Sequence, residues 1–301
     1  MDVLSWDKFL EESLLESTYP PPKIKLYNRL VAHTDNFFII AAIGAFVPGY
    51  LMLVSKKLIP SLALIEDNQV NEMKWLIQKC SDAISKTYNK NVAVFEHGMC
   101  ACIGGLDRAH LHIMPIDKAA DEKTIKESIN VVLKKRKSGI SSVEVDGYEF
   151  TNIHDINEII NGSKKNTYKI SGKQLQFEDI HSNLDIEDWP LSTRPLVRKG
   201  GHYVYFKNST NASFLTDNNF QTQLGREIVF EVEKSANPSV KLMSEEILKK
   251  NVYANIWKWQ EFAFKENMLK TMKDLAPELE KITDNNFNYI CISKKVRCST
   301  G

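Results

Sequence analysis

The sequence predicts an α+β protein, in which an antiparallel sheet carries one long helix and is followed by a C-terminal α+β extension. Short apolar runs bounded by turn residues fill residues 26–54 and return around residues 91–116. Between them, residues 69–88 place apolar side chains at offsets of three and four, which is the spacing of one helix face. This order of strands, a long helix and further strands is typical of a helix packed on a sheet.

Turn residues separate the apolar runs that predict the strands of the first half. These runs lie at residues 29–33, 36–43, 50–54 and 91–98. The turn signal Thr34–Asn36 predicts a hairpin between the first two, and Pro48–Gly49 forms a turn before the third. Residues 117–145 are rich in lysine and predict a helix plus a hinge.

The second half has a weaker pattern, and residues 146–190 give no clear one. The expected elements are a strand at 200–208, a helix at 218–234, and a long aromatic-rich helix or helix pair at 251–275. The tail from Cys291 is expected to be loose. We divide the chain into an N-terminal helix and linker over residues 1–22, a central domain over 23–145 and the extension over 146–301.

Composition excludes several classes of protein. The 301 residues include 39 basic and 38 acidic ones, so the net charge of +1 gives no electrostatic case for non-specific nucleic-acid binding. The N-terminus lacks the basic region of a signal peptide, and no apolar run is long enough for a membrane span. The five cysteines have no framework spacing, which indicates reduced thiols and a cytoplasmic location.

Two histidines lie two residues apart in the segment Gly104–Ile116, GGLDRAHLHIMPI. Residues two apart on a strand point to the same side, so a polar set and an apolar set would line opposite faces. The polar set is Arg108, His110 and His112, and the apolar set is Ala109, Leu111 and Ile113. The apolar set suits a covered core. Cationic or titratable groups beside a glycine-containing loop suit an anion such as phosphate.

The H-x-H pattern is also compatible with other chemistry. A neutral imidazole can attack phosphorus when its other nitrogen is held by a hydrogen-bond partner. Two structural histidines give the same pattern, and so does a pair of metal ligands. The cysteines do not complete a zinc site, so we predict no metal.

The ordered elements of about residues 25–117 resemble the histidine triad (HIT) superfamily. The shared features are the strand pair, the P-G-Y-L-M-L-V turn and strand, a lysine turn, the helix, the FEHG strand and the final H-x-H before proline. The resemblance implies a HIT-like sheet and a nucleotide-binding domain over residues 23–145. It also implies a nucleotide hydrolase or nucleotidyl transferase that acts on a nucleoside phosphate through a histidine adduct, without a cofactor.

The resemblance assigns roles to individual residues. Anchoring the motif on Pro115 places His110 at the middle, nucleophilic position, where it would attack the α-phosphorus. His112 then falls on the third position and would hold a non-bridging phosphate oxygen. Gly104 and Gly105 correspond to the backbone of the phosphate loop.

Several positions depart from the family pattern. Arg108 stands where many members have the first histidine; arginine cannot shuttle a proton near neutral pH, but it binds phosphate bidentately. Tyr50 and Leu58 also replace histidines, and residues 41–44 have no clear match to the acidic ribose-binding residue. CwfJ-type members carry glutamine at the first triad position. The alternative to an enzyme is therefore a non-catalytic module that binds a nucleotide or an RNA end.

Three further residues are candidates for substrate binding. His97 falls where many members carry a polar residue near the phosphate, although a structural histidine at a strand end fits equally well. Residues 203–262 resemble the extension of CwfJ-type proteins, which makes Gln223 and Arg226 candidates to reach a substrate. A solvated helix face, with Arg226 paired to a nearby glutamate, is the favoured alternative. The chain could form a homodimer by joining the sheets of two copies. Alternatively, the C-terminal extension could take the place of the second copy.

Overall fold

In a computed structural model of the chain, the fold can be described for residues 29–56, 62, 65, 67–98, 109–135, 141–146, 167–171, 203–208, 211–216, 224–242, 264–283 and 286–291. Over these residues the protein is α+β, and ten antiparallel strands form one sheet. This confirms the predicted class, an antiparallel sheet with a long helix.

The strands are β1 Leu30–His33, β2 Phe37–Ala41, β3 Leu51–Ser55, β4 Asn91–Gly98, β5 His110–Ile116, β6 Ser141–Asp146, β7 Thr167–Ser171, β8 Tyr203–Lys207, β9 Asn211–Thr216 and β10 Ile290–Cys291. The helices are α1 Asp67–Tyr88, α2 Glu122–Lys135, α3 Leu224–Ala236, α4 Pro238–Lys241 and α5 Lys265–Leu279. The strands follow the order β10-β1-β2-β3-β5-β4-β8-β9-β6-β7 across the sheet.

The elements with strong local patterns form as predicted. The hairpin of β1 and β2, the strand after Pro48–Gly49, and helix α1 are confirmed. So are β4, β8 and the helix after residue 218, which begins at Leu224. The predicted N-terminal helix and the first part of the predicted 251–275 helix lie outside the described residues.

Two predictions were wrong in detail. Ser141–Asp146, expected to belong to a helix and hinge, is a strand that pairs with β7 and β9. The tail at Cys291 is not loose at its start, because Cys291 pairs with Ala32 at the edge of β1. In both cases the pairing partner lies far away in sequence, so the backbone hydrogen bonds come from tertiary structure rather than from a local pattern.

Alternation along the central strands separates two cores. Leu53 and Leu111 belong to a core that includes side chains of α1 and α5. Met52 and Met114 point to the opposite face and belong to a second core that includes α2 and α3. The face of β5 that carries the histidines is therefore the one that α2 and α3 cover.

The second half of the chain also builds the central part of the sheet. Strand β8 pairs with β4 along five residue positions, from Val94–Lys207 to Gly98–Tyr203. The edge of β4 that faces away from β5 is therefore paired with a strand of the same chain. Among the described residues, no helix is long and apolar enough to cross a membrane.

Helix α5 holds the turn that leads into β3. Asn267 Nδ2 donates to the carbonyl oxygen of Ala45 at 2.9 Å, and the Gly49 N–H donates to Thr271 Oγ1 at 2.7 Å. Gly49 has a φ of +94°, and a Cβ there would lie 2.7 Å from the Tyr88 ring, so glycine is required. These contacts fix the backbone immediately before Tyr50, which reaches the histidine face.

Candidate active site

Strand β5 carries its histidines between two neighbouring strands. His112 is opposite Met52 of β3 and Phe95 of β4, and His110 is opposite Val54 of β3. The apolar set of the motif is fully buried in the core that contains α1: Ala109, Leu111 and Ile113. The division of the motif into two faces is therefore seen for every member that lies within the described residues.

His112 lies inside the protein, packed between aromatic rings. The residue is 8% exposed, and its ring stacks on Phe95 with 4.3 Å between centroids and 12° between planes. Nδ1 of His112 shares a hydrogen bond with Oη of Tyr50, which is also buried. One ring nitrogen of His112 is therefore occupied by a fixed partner.

The surroundings of His112 oppose its protonation. Burial is the largest cause that holds its pKa well below the ordinary value, and the nearby His110, His97 and Arg226 act in the same direction. Around neutral pH the imidazole is therefore neutral, with one N–H donor and one acceptor nitrogen.

His110 is the first residue of β5 and is partly exposed. Its ring centroid lies 4.9 Å from that of His112, with 69° between the ring planes. Hydrophobic packing thus encloses His112 but leaves part of the neighbouring His110 accessible to solvent.

His97, near the end of β4, connects the sheet to helix α3. Its Nε2 accepts a hydrogen bond of 3.1 Å from the backbone N–H of Gly225, in the first turn of that helix. Its ring centroid is 6.4 Å from that of His112. His97 therefore lies in the histidine cluster and also has a structural role at the end of its strand. The two interpretations offered by the sequence are compatible.

Arg226 is buried rather than on a solvated helix face. It is 4% exposed, and its Nη2 donates to the carbonyl oxygen of Gly44. Its guanidinium carbon lies 6.0 Å from the ring centroid of Phe46 and 5.9 Å from that of Tyr50. Burial lowers the pKa of Arg226, yet arginine stays protonated near neutral pH. Arg226 therefore places a positive charge beside the pair formed by Tyr50 and His112.

The structure thus brings together the four described site residues that the sequence singled out: His97, His110, His112 and Arg226. The other four lie outside the described residues: Gly104, Gly105, Arg108 and Gln223. No group of three or more histidine, cysteine, aspartate or glutamate side chains in the described part of the chain is arranged to hold a metal ion.

Sequence reasoning missed two residues of the site. Phe95 forms the stacking surface for His112, and Tyr50 was noted only as a departure from the family pattern. Alternation along β4 could have indicated Phe95, because Phe95 lies two residues from His97 and shares its face. No local pattern indicates a bond between residues 62 positions apart.

Comparison with known proteins gives a limited result. The sequence matches no protein-family model and no curated protein. Among solved structures, it is similar to a HIT-like protein involved in cell-cycle regulation from Bartonella henselae, solved with an unknown ligand. The likeness covers 39% of this chain and 80% of that one, with 15% identity and a TM-score of 0.27. The residues and contacts of this chain therefore carry the functional proposal.

The depressed pKa of His112 predicts a pH-dependent stability. The unfolded chain protonates this residue near pH 6.5, whereas the folded protein does so only at lower pH. The contribution of His112 to the free energy of unfolding is therefore complete above about pH 6.5. It decreases as the pH falls, by up to about 1.4 kcal/mol per pH unit. Urea unfolding between about pH 7.5 and about pH 5.5 measures this slope.

The variant His112→Gln should have a flatter pH dependence than the wild type over the same range. His33→Gln is the control, because His33 lies on β1 and hydrogen-bonds to the Thr34 carbonyl rather than to the histidine cluster. Equal slopes for the wild type and His112→Gln would contradict the assignment.

Proposed function

We propose that this protein is a nucleotide hydrolase or nucleotidyl transferase that uses His110 as its nucleophile. The observation that carries the proposal is the contrast between neighbouring histidines on one strand face. His112 is buried, neutral and held by Tyr50, whereas His110 is partly exposed beside it. A held neutral donor next to an accessible imidazole suits attack on a phosphorus atom whose oxygens need stabilisation.

The local charge favours an anionic substrate. Arg226 is buried beside Tyr50, and the first turn of α3 reaches the cluster through the hydrogen bond from Gly225 to His97. The N-terminus of a helix carries partial positive charge. Arg108, Gly104, Gly105 and Gln223 are proposed to complete the phosphate site, as the family resemblance implies.

The chemistry proceeds in two balanced steps. A lone pair on a ring nitrogen of His110 attacks the α-phosphorus, and the bond from phosphorus to the leaving group breaks, so that the leaving group departs with the bonding electrons and takes up a proton from solvent. Water then attacks the same phosphorus and loses a proton to solvent, and the new bond to histidine breaks with its electrons returning to the ring nitrogen. This step releases a nucleoside monophosphate and regenerates the imidazole; a different acceptor in place of water gives nucleotidyl transfer.

The proposal predicts a covalent adduct on the full-length protein. A nucleoside phosphoramidate and a dinucleoside polyphosphate serve as probes, with base quenching and intact-mass measurement. The wild type should gain the mass of one nucleotidyl group. Mild acid should remove it, because a phosphorus–imidazole bond is acid-labile. His110→Ala should form no adduct, whereas the control His33→Ala should form it at the wild-type level.

Two outcomes would contradict the enzymatic proposal. One is adduct formation by His110→Ala at the wild-type level. The other is a rise in melting temperature on addition of the probes, which reports binding, without any adduct or product. That second result would assign the protein to the alternative class, a nucleotide or RNA-end binding module.

A further inference from the structure

The hydrogen bond between Tyr50 and His112 determines which nitrogen of His112 carries the proton. Both side chains are buried, and the bond joins Oη of Tyr50 to Nδ1 of His112. A neutral imidazole has one protonated nitrogen and one acceptor nitrogen, so the direction of this bond fixes its tautomer.

Two cationic side chains favour one direction of this bond. Arg226 and Arg29 both interact electrostatically with the phenol group of Tyr50. Arg29 is buried and donates from Nη1 to the carbonyl oxygen of Ala41 at 3.1 Å. Positive charges attract the lone pairs of the phenol oxygen and repel its hydrogen. The two arginines therefore favour the direction in which the O–H of Tyr50 donates to the acceptor nitrogen of His112.

The protonation states of the two groups agree with this direction. Burial raises the pKa of Tyr50, which outweighs the opposite effect of Arg226 and Arg29, so the hydroxyl keeps its hydrogen near neutral pH. Burial is also the main reason that the pKa of His112 is low, so its ring keeps an acceptor nitrogen. The pair is thus a neutral donor facing a neutral acceptor.

We propose that Tyr50 is a positioning residue that donates its hydrogen bond to Nδ1 of His112 and thereby holds His112 in the Nε2–H tautomer. The functional consequence rests on the proposed function. An Nε2–H group donates to a phosphate oxygen, but it has no lone pair with which to attack phosphorus or ligate a metal. Nucleophilic attack is then left to His110, 4.9 Å away between ring centroids.

The tautomer can be read directly in the full chain, without any substrate. Histidine labelled with the heavy nitrogen isotope gives ring-nitrogen signals whose shifts separate protonated from unprotonated nitrogen. The signals of His112 are assigned by their loss in His112→Gln. We expect a protonated Nε2 and an unprotonated, hydrogen-bonded Nδ1 near neutral pH. A protonated Nδ1 in the wild type would overturn the proposal, whatever the activity.

The variant Tyr50→Phe tests the consequence. Without the phenol, the His112 signals should shift toward a mixture of tautomers. Adduct formation should slow by roughly 10-fold to 100-fold, the loss that follows when a partner that orients a metal-binding histidine is removed. The proposal would be overturned if Tyr50→Phe kept the tautomer of the wild type, or if it formed the adduct at the wild-type rate.

Tyr289→Phe is the matched control. The variant also loses a phenol hydrogen bond, from the partly buried hydroxyl of Tyr289 to the carbonyl oxygen of Leu279 at 3.0 Å, but Tyr289 packs against the core of α1 on the other face of the sheet. The Tyr289→Phe variant should give the same His112 signals and the same adduct rate as the wild type. A wild type that shows the Nε2–H tautomer but never forms an adduct would support the role of Tyr50 and contradict only the proposed function.

Discussion

Replacing His110 with alanine should lower the turnover of a nucleoside phosphoramidate by roughly 10³-fold or more, because removal of a nucleophile eliminates the covalent route altogether. The melting temperature should change by only about 2 to 4 °C, since the side chain is partly exposed and its truncation leaves no sealed cavity. Steady-state kinetics and thermal unfolding of the same preparations measure both quantities.

The comparison with His112→Leu separates the two histidines, because leucine has no hydrogen-bond donor. Loss of one donor to a phosphate oxygen costs roughly 10²-fold to 10³-fold, less than loss of the nucleophile. His112→Leu should also unfold at lower temperature, because it removes a buried ring that stacks on Phe95. Retention of turnover within about tenfold in His110→Ala would reject His110 as the nucleophile.

The parts of the fold that the sequence predicts are those with strong local patterning. Helix α1 shows apolar spacing over its whole length, and β4 contains the apolar run Val92–Phe95, so each carries its own signal. Strands β6 and β9 carry no such signal, and they pair with each other across a separation of about 70 residues, from Ser141–Thr216 to Asp146–Asn211. Long-range pairing of this kind depends on the assembled sheet.

The candidate site likewise has one part that the sequence predicts and another part that depends on the assembled fold. Alternation on β5 is enough to place His110 and His112 on one face, because a strand has a period of two. The partners of these histidines come from other elements: Tyr50 from the turn before β3, Phe95 from β4 and Gly225 from α3. Their positions depend on sheet order and on the docking of α3, which no short segment of sequence encodes.

The docking of α3 has a broader consequence for the histidine face. This helix belongs to the second half of the chain, yet it contributes Leu224, Ile228 and Val232 to the core beneath the histidines. It also supplies the hydrogen bonds to His97 and to the carbonyl oxygen of Gly44. Residues far from the H-x-H motif therefore set the geometry and the polarity around it.

Replacing Gly225 with alanine should destabilise the protein by about 3 kcal/mol or more, at the upper end of what overpacking a core costs. A Cβ at this position would lie 2.2 Å from Cδ2 of Phe95, 2.5 Å from its Cε2 and 2.8 Å from its Cγ. The Phe95 ring cannot move aside, because it is fully buried between His112, at 4.3 Å, and Phe206, at 6.2 Å between centroids. Helix α3 must therefore shift, which also strains the bond to His97.

The sign of this effect is what makes the test informative. In a helix without a close neighbour, alanine is favoured over glycine by about 0.5–1 kcal/mol, so Gly225→Ala would then stabilise the protein. Urea unfolding of Gly225→Ala, Phe95→Leu and the double variant measures the coupling between the two positions. Because leucine lacks the ring that the new methyl group meets, Gly225→Ala should cost far less in the Phe95→Leu background. Equal costs in both backgrounds, or a rise in stability for Gly225→Ala alone, would show that α3 does not pack on the histidine face in this way.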